Sequence, residues 1–170
     1  MLVRAPGQPP YGDAMSEHRH DYDVHVTWTG DLGEGTRSYR GFSRDHEVGA
    51  DGPPVILGSA DPAFRGDPAH WNPEQLLLAS LAQCHMLWYL HLASSEGIVV
   101  TGYEDAAHGE MRTDASGAGE FTRAVLRPRV RISAGDPVRA RELHGEVGRF
   151  CFIARSVRFP VEHEPEILTA

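Results

Sequence analysis

The sequence predicts an α+β protein whose sheets are mostly antiparallel. The first observation behind this prediction is one long, apolar helical segment near the middle of the chain. The second is the order of the predicted elements, which is three strands, a long helix, two long strands, a second helix and a final strand. The third is size, because 170 residues with 41% apolar content can bury a hydrophobic core.

The net charge of the chain excludes some classes of binding partner. The formal net charge is −8 and the isoelectric point is near 5.6, so the chain lacks the basic surface that nucleic acids or anionic membranes attract. We therefore expect neither as a partner. All sixteen basic residues are arginine, which excludes a lysine Schiff base and a P-loop lysine.

The first twenty residues differ in composition from the rest. They hold several prolines and glycines and few apolar residues, so we predict a flexible tail over residues 1–20 and one domain over residues 21–170. The tail lacks the apolar run of a secretory signal, which favours a cytoplasmic protein. In that reducing compartment, two cysteines are more often free or redox-active than a structural staple.

Three strands are predicted before the long helix. The first shows an alternation of apolar and polar residues typical of a half-buried strand. The second is predicted over Arg37–Ser43 and the third around Val55–Leu57. The segment Gly58–Trp71 is rich in proline and glycine without periodicity, so it is predicted to be a loop. The apolar positions of the first strand are Tyr22, Val24, Val26 and Trp28.

The central helix is predicted over Asn72–Ser95. Asn72 is a good N-cap, Pro73 suits the first helical position, and Glu74 suits the positive end of the helix dipole. Apolar residues lie almost all round this helix, which predicts that it is buried. Glutamine and histidine residues interrupt the apolar run, which favours a core helix over a membrane span.

The C-terminal half is predicted to contain two long strands, a helix and a short strand. The two strands are Ile98–Thr113 and Glu120–Ser133, joined by a hairpin loop at Asp114–Gly119. Asp136–Arg149 has near-helical apolar spacing after an Asp-Pro start, so it is predicted to be the second helix. Ser156–Val161 is predicted to be the last strand, followed by an acidic tail.

The two cysteines are the main candidates for chemistry. Cys84 lies in the middle of the central helix and Cys151 follows the second helix, 67 residues later. Both could be buried cysteines that act only as small apolar side chains. A nearby cation would favour the reactive thiolate form, and Arg65 is the candidate cation, with Glu74 as a carboxylate that could aim it. Arg65 could also be an ordinary surface arginine of a loop.

Helix geometry constrains how these groups combine. Glu74 and Cys84 are ten residues apart on one helix, which separates them by about 15 Å along the axis and roughly 80° around it. The two side chains therefore cannot share one site within a subunit. If both serve the same chemistry, the carboxylate comes from a second copy of the chain, as a two-fold dimer allows.

The residues around the central helix resemble a known family. The run Asn72-Pro73-Glu74-Gln75-Leu76, a cysteine ten residues after the glutamate and a second cysteine after a later helix are similar to the OsmC/Ohr family of thiol-dependent peroxidases. Arg65, nine residues before the glutamate, resembles the arginine of the loop that leads into this helix in OsmC-type members. The strand with Trp28, the turn at residues 33–36 and the run Cys151–Ser156 also suit OsmC-like members.

The resemblance implies a fold and an activity. Family members form intertwined homodimers in which antiparallel sheets wrap around two central helices, and they reduce organic hydroperoxides or hydrogen peroxide with thiols. Cys84 would be the peroxidatic cysteine and Cys151 the resolving one. Arg65 would stabilise the thiolate and the peroxide, and Glu74 of the partner subunit would orient the arginine. The expected partners are a second copy of the chain, a peroxide and a dithiol reductant, with no metal or organic cofactor.

The sequence leaves two alternative functions open, as well as the role of His85. The protein could be a non-catalytic OsmC-like dimer that binds a small apolar ligand in the cysteine-lined cavity. It could also hold a metal through Cys84, Cys151 and histidines, although the usual ligand spacings are absent. His85 stands where the family often has phenylalanine, and it either tunes the thiol or caps a polar pocket.

Overall fold

The computed structural model describes residues 19–169. Nearly all of the predicted tail, and the last residue, lie outside this range. The chain comprises two compact units, the first ending at Pro73 and the second beginning at Glu74. A single domain over residues 21–170 stays a prediction.

The first unit contains one small antiparallel sheet. Its strands are β1 (His25–Trp28), β2 (His46–Gly49) and β3 (Ile56–Gly58), in that order. The first and third predicted strands are therefore confirmed, although all four residues of β1 are exposed in the chain. The partner of β1 is β2, with Trp28 opposite His46.

The strand predicted at Arg37–Ser43 is wrong, because that segment forms turns and bends. The aromatic residues Tyr39 and Phe42 contact the side chain of Arg44, and the segment does not pair in a sheet. The Arg44 guanidinium lies 4.4 Å from the ring centre of Tyr39 and 4.2 Å from that of Phe42. It also donates hydrogen bonds to the carbonyl oxygens of both residues. Cation–π contact of this kind fixes a compact turn.

The long helix, α1 (Pro73–Ser95), is confirmed. It is the one helix among the described residues that is long and apolar enough to cross a membrane by length and composition. Within the chain, however, it buries a single stripe with a spacing of four residues, which marks it as a core helix. The predicted all-round burial is wrong within one chain, because its other faces, including Leu87 at 60% exposure, remain partly or largely uncovered. The buried stripe consists of Leu81, His85, Tyr89 and Ala93.

The second unit contains two mixed sheets and a second helix. The sheet orders are β4-β7-β9 and β5-β6-β8. Pairing is antiparallel for β4 with β7 and β5 with β6, and parallel for β7 with β9 and β6 with β8. The elements in chain order are β4 (Val99–Asp105), β5 (His108–Thr113), β6 (Gly119–Leu126), β7 (Pro128–Ala134), α2 (Pro137–Val147), β8 (Val161–His163) and β9 (Glu166–Thr169).

Each long predicted strand is broken into two. Residues 98–113 give β4 and β5, and residues 120–133 give most of β6 and β7, so each segment passes from one sheet to the other. Pro128 stands at the second break as the first residue of β7, a strand position where proline is tolerated. The α+β class with mostly antiparallel pairing is confirmed.

The last strand, predicted at Ser156–Val161, is wrong in position. The strands form later, in the segment predicted to be an acidic tail. Its glutamates face outward and pair with arginines of the neighbouring strands, as Glu166 does with Arg129 at 2.7 Å. The alternating residues, such as Ile167, pack against the core. Acidic composition therefore hid an alternating strand pattern.

Helix α2 begins where the sequence predicts. The Asp136 side chain accepts a hydrogen bond from the backbone N–H of Val138 at 2.9 Å, and Pro137 occupies the first turn. The helix packs into the main core cluster of the second unit, which also contains Cys151. The buried members are Tyr89, Ala93, Ile98, Val130, Ile132, Ala140, Leu143, Val147 and Cys151.

Candidate functional site

The two cysteines meet in the second unit. The Sγ atoms of Cys84 and Cys151 are 2.8 Å apart, and both are free thiols. A disulfide bond needs about 2.05 Å between its sulfurs, so a shift of under ~1 Å would close it. The pairing of these two residues, expected from the family resemblance, is compatible with this geometry.

Cys151 is held by the end of α2. Its backbone N–H donates to the Val147 carbonyl at 2.9 Å, which continues the helical turn past the last residue of α2. Its sulfur accepts a hydrogen bond from the Ala154 N–H at 3.4 Å. Cys151 is 1% exposed, whereas Cys84 is half-buried.

Burial decides which sulfur can act first. Desolvation, together with the hydrogen bond to Cys84, raises the pKa of Cys151 to about 11. Cys151 is therefore a neutral thiol at pH 7. Because only a thiolate is a strong nucleophile, the accessible Cys84 is the better candidate for attack on an incoming oxidant.

Aromatic rings lie beside the thiol pair. Trp88, one turn after Cys84 on α1, stacks on Phe150 with ring centres 5.3 Å apart and meets Phe152 edge-on at 5.8 Å. These two phenylalanines flank Cys151 in sequence, and Phe152 is 64% exposed. The approach to the thiols is thus apolar. Sequence reasoning missed this group, although the i,i+4 spacing from Cys84 to Trp88 was available as a signal.

Two buried histidines lie on the helices that lead to the two cysteines. His85 and His144 are 5% and 1% exposed, and Nε2 of His85 is 2.9 Å from Nδ1 of His144. Burial lowers the pKa of His85 to about 4 and that of His144 to about 3, with neighbouring positive charge, led by His163 and His85 respectively, as a further cause. Both rings are therefore neutral at pH 7. Whether His85 tunes the thiol or caps a polar pocket stays a prediction, and sequence reasoning missed its bond to His144.

The hydrogen in this pair belongs on His144. Among residues 19–169, Nε2 of His144 is buried without a hydrogen-bond partner. A bare acceptor is less costly to bury there than an orphaned N–H donor. Nδ1–H of His144 therefore donates to Nε2 of His85, and the other proton of the neutral pair sits on Nδ1 of His85.

A small cavity adjoins the same groups. Its volume is about 30 Å³, which is enough to hold water but not an organic ligand. Cys151, His85, His163 and Glu162 contribute to its wall together with apolar residues and Gly148. The His163 ring lies edge-on to His85 with ring centres 5.4 Å apart.

Arg65 lies in the first unit, in an unusual backbone conformation. It ends a short 3₁₀ turn, Pro62–Phe64, and has φ 68°, in the left-handed region. Its N–H donates to the Pro62 carbonyl at 3.0 Å, so the loop holds this strained residue in place. Left-handed non-glycine residues are uncommon and are enriched at functional sites. Its side chain is exposed and makes no hydrogen bond or ion pair within residues 19–73.

Glu74 lies in the first turn of α1. One carboxylate oxygen, Oε2, is buried and has no hydrogen-bond partner among the described residues. Because Glu74 and Cys84 lie on the same unbroken helix, the structure does not bring them together within one chain. The roles of Arg65 and Glu74 stay predictions.

The metal alternative finds no support in the described part of the chain. Residues 19–169 contain no cluster of three or more histidine, cysteine, aspartate or glutamate side chains that could hold a metal ion.

The fold and the paired cysteines place the chain among α+β proteins with a partly buried dithiol, and sequence comparison identifies the family. A model of OsmC-like proteins matches residues 66–166, a range that contains Glu74, Cys84 and Cys151. The chain belongs to the OsmC-like family. Comparison with curated proteins gives no significant match.

Solved structures of the same family agree with this assignment. An OsmC-like protein of unknown function from Vibrio cholerae is 31% identical with a TM-score of 0.77, covering 86% of this chain and 99% of its own. An organic hydroperoxide resistance protein from Legionella pneumophila is 14% identical, with a TM-score of 0.62 and coverages of 89% and 99%. The organic hydroperoxide resistance protein of Bacillus subtilis is 20% identical, with a TM-score of 0.56 and coverages of 87% and 98%. The last two show likeness of fold.

Proposed function

We propose that this protein is a thiol-dependent peroxidase that reduces organic hydroperoxides, and also hydrogen peroxide, through Cys84 and Cys151. The observation that carries the proposal is the 2.8 Å distance between the two sulfurs. The apolar rings of Trp88, Phe150 and Phe152 beside the thiols favour an organic peroxide over a small polar one. The family relatives from Legionella and Bacillus that are described as organic hydroperoxide resistance proteins support the same activity.

The reaction uses only sulfur chemistry. The Cys84 thiolate attacks the terminal peroxide oxygen, the O–O bond breaks, and the alkoxide takes a proton to leave as an alcohol. The resulting sulfenic acid is attacked by Cys151, which loses its proton as the S–O bond breaks and water leaves. An external dithiol then reduces the disulfide by exchange. The proposal includes no metal or organic cofactor.

The arginine and carboxylate complete the proposal in a homodimer. The Arg65 guanidinium would stabilise the Cys84 thiolate and polarise the peroxide, and Glu74 of the partner subunit would orient that guanidinium by a bidentate ion pair. The orphaned Oε2 of Glu74 supports a missing cationic partner. The apolar faces of α1 that one chain leaves uncovered support a second copy. Two free cysteines suit the reducing cytoplasm, which we propose as the location.

The ligand-binding alternative gains nothing from the cavity beside the cysteines. At about 30 Å³ within one chain it has room for water only, whereas pockets for small organic ligands span about 300–1,000 Å³.

The test is consumption of an alkyl hydroperoxide with a dithiol as reductant. We expect Cys84→Ser to abolish it, and one equivalent of peroxide to lower the intact mass of the wild-type chain by two hydrogens through a Cys84–Cys151 disulfide. Undiminished consumption by Cys84→Ser would sink the mechanism. A binding protein without catalysis would leave the mass unchanged under the same treatment.

A further inference from the structure

We propose that His85 and His144 are positioning residues, and that the hydrogen bond between their rings sets the separation of Cys84 and Cys151 and so the ease with which their disulfide forms. Nothing in the proposed peroxide chemistry requires these rings to touch the substrate. They are among the most buried polar side chains of the second unit, and they link α1, which carries Cys84, to α2, which leads to Cys151.

The α1 side of the link is adjacent to Cys84. His85 is the next residue, and Tyr89 lies one turn further along the same buried stripe. The His144 ring stacks on Tyr89 with ring centres 4.0 Å apart and lies nearly parallel to His85 at 5.2 Å. One ring from α2 therefore rests on two consecutive turns of α1, which fixes both the spacing and the register of the helices.

The α2 side of the link leads to Cys151 without a flexible segment. His144 lies in the last turn of α2, which ends at Val147. The Val147 carbonyl accepts hydrogen bonds from the N–H groups of both Phe150 and Cys151, each at 2.9 Å. The chain stays hydrogen-bonded from the histidine to the cysteine, so a displacement of His144 would carry Cys151 with it.

Directionality separates this pair from ordinary core packing. Two neutral rings share one hydrogen between Nδ1 of His144 and Nε2 of His85, and the atoms must face each other at 2.9 Å. If either atom is misplaced, a polar group is left buried without a partner. The rings would then move towards water, and the sulfurs would lose the alignment that a disulfide needs.

The proposal concerns the step in which the sulfenic acid on Cys84 and the thiol of Cys151 form a disulfide and release one water molecule. It rests on the proposed function for that step. The propensity of the pair to form a disulfide can be measured without any peroxide, by equilibration with reduced and oxidised glutathione. In that exchange oxidised glutathione is the oxidant, and two glutathione thiols are released for each protein disulfide formed.

Amide side chains provide a matched test at His85. Glutamine places a polar atom near the position of Nε2, which carries the bond, whereas asparagine places one near Nδ1. In a glutathione redox buffer at pH 7, we expect His85→Gln to keep the Cys84–Cys151 equilibrium constant within threefold of wild type and His85→Asn to lower it at least tenfold. His108→Asn, at an exposed residue of β5, is the control and should leave it unchanged.

The test is reversed at His144, where Nδ1 carries the bond. Asparagine should preserve the equilibrium constant and glutamine should lower it, and this pair decides the question if His85→Asn does not fold. Equal losses for both amides at each position, or no loss for any, would overturn the proposal. Normal glutathione equilibria in a protein that consumes no peroxide would instead count against the proposed function alone.

Discussion

The cysteine pair and the predicted charged groups, Glu74 and Arg65, differ in the contacts that they make among the described residues. In the middle of the helix, Cys84 faces Cys151 and His85 is hydrogen-bonded to His144. At its start, Glu74 has a buried oxygen without a partner among residues 19–169, and in the first unit the Arg65 side chain is exposed. The two thiols thus meet within one chain, whereas the joint action of Arg65 and a partner subunit's carboxylate stays a proposal. This difference teaches that redox pairing and thiolate activation can be tested separately.

The largest effect is expected from Cys151→Ser, which removes one member of the cysteine pair. The variant should consume one equivalent of alkyl hydroperoxide at the wild-type rate and then stop, because nothing within the chain resolves the sulfenic acid on Cys84. Stopped-flow kinetics and mass detection of a sulfenic-acid adduct would measure this. Sustained wild-type turnover with the dithiol would show that Cys151 is not the resolving cysteine.

Arg65→Ala tests the proposed activation of the Cys84 thiolate by the arginine. Loss of a preorganised donor at a developing negative charge costs on the order of 10²–10³ in rate in enzymes, and we expect a loss of that size in kcat/KM for the hydroperoxide. The glutathione equilibrium of the two cysteines should stay unchanged. Arg40→Ala, at another exposed arginine of the first unit, is the matched control, and equal activity in both variants would remove Arg65 from the mechanism.

Glu74→Gln should cost about tenfold in kcat/KM, or ~1.4 kcal/mol, because the carboxylate acts through the arginine. The subunit that supplies it can be identified by coexpressing Glu74→Gln with Cys84→Ser. If the carboxylate comes from the partner, a mixed dimer keeps one intact site and regains about half the wild-type activity. If it comes from the same chain, mixing restores nothing and the dimer proposal for this residue falls.

Acid should weaken the fold, as distinct from the activity, through the histidine pair. The pKa values of His85 and His144, about 4 and about 3, lie below the unfolded value of about 6.5. The unfolded chain therefore binds more protons between those limits, so their contribution is complete above pH 6.5 and is lost as the pH falls towards 4. The groups that face the pair are His163 and Arg141, which add positive charge, and Tyr89, which stacks on His144.

Urea unfolding measures this effect. The free energy of unfolding should fall by on the order of 2–4 kcal/mol between pH 7 and pH 5. Arg139 lowers the pKa of Glu96, and that contribution is lost only at lower pH, which keeps the two separable. A free energy that stays flat between pH 7 and pH 5 would contradict the buried, neutral state of the rings.

Local signals predicted the helices and the cysteine spacing well. The start of α1 follows from Asn72, Pro73 and Glu74, and that of α2 from Asp136 and Pro137, because caps act over one turn. Cys84 and Cys151 were identified as candidates from their rarity and their place on helices, and the family resemblance paired them.

The features that could not be predicted from the sequence depend mainly on contacts between residues that are far apart in the chain. The bond between His85 and His144 spans 59 residues and has no local pattern. The parallel strands β8 and β9 were hidden by acidic residues whose ion pairs depend on arginines more than thirty residues earlier, such as Arg129 with Glu166. At Arg37–Ser43, aromatic residues suggested a strand, although their contact with Arg44 favours turns.

The stacking of Trp88 on Phe150 gives the site an optical consequence. Trp88 is the one tryptophan of residues 74–170, and its ring contacts both neighbours of Cys151. If the proposed disulfide forms, the movement of Cys151 would shift Phe150 and Phe152 against the indole, so we expect the emission of Trp88 to change with the oxidation state of the two sulfurs, over a background from Trp28 and Trp71. A Trp88→Phe variant would show how much of any emission change comes from this ring, and the change could be followed in real time without a label.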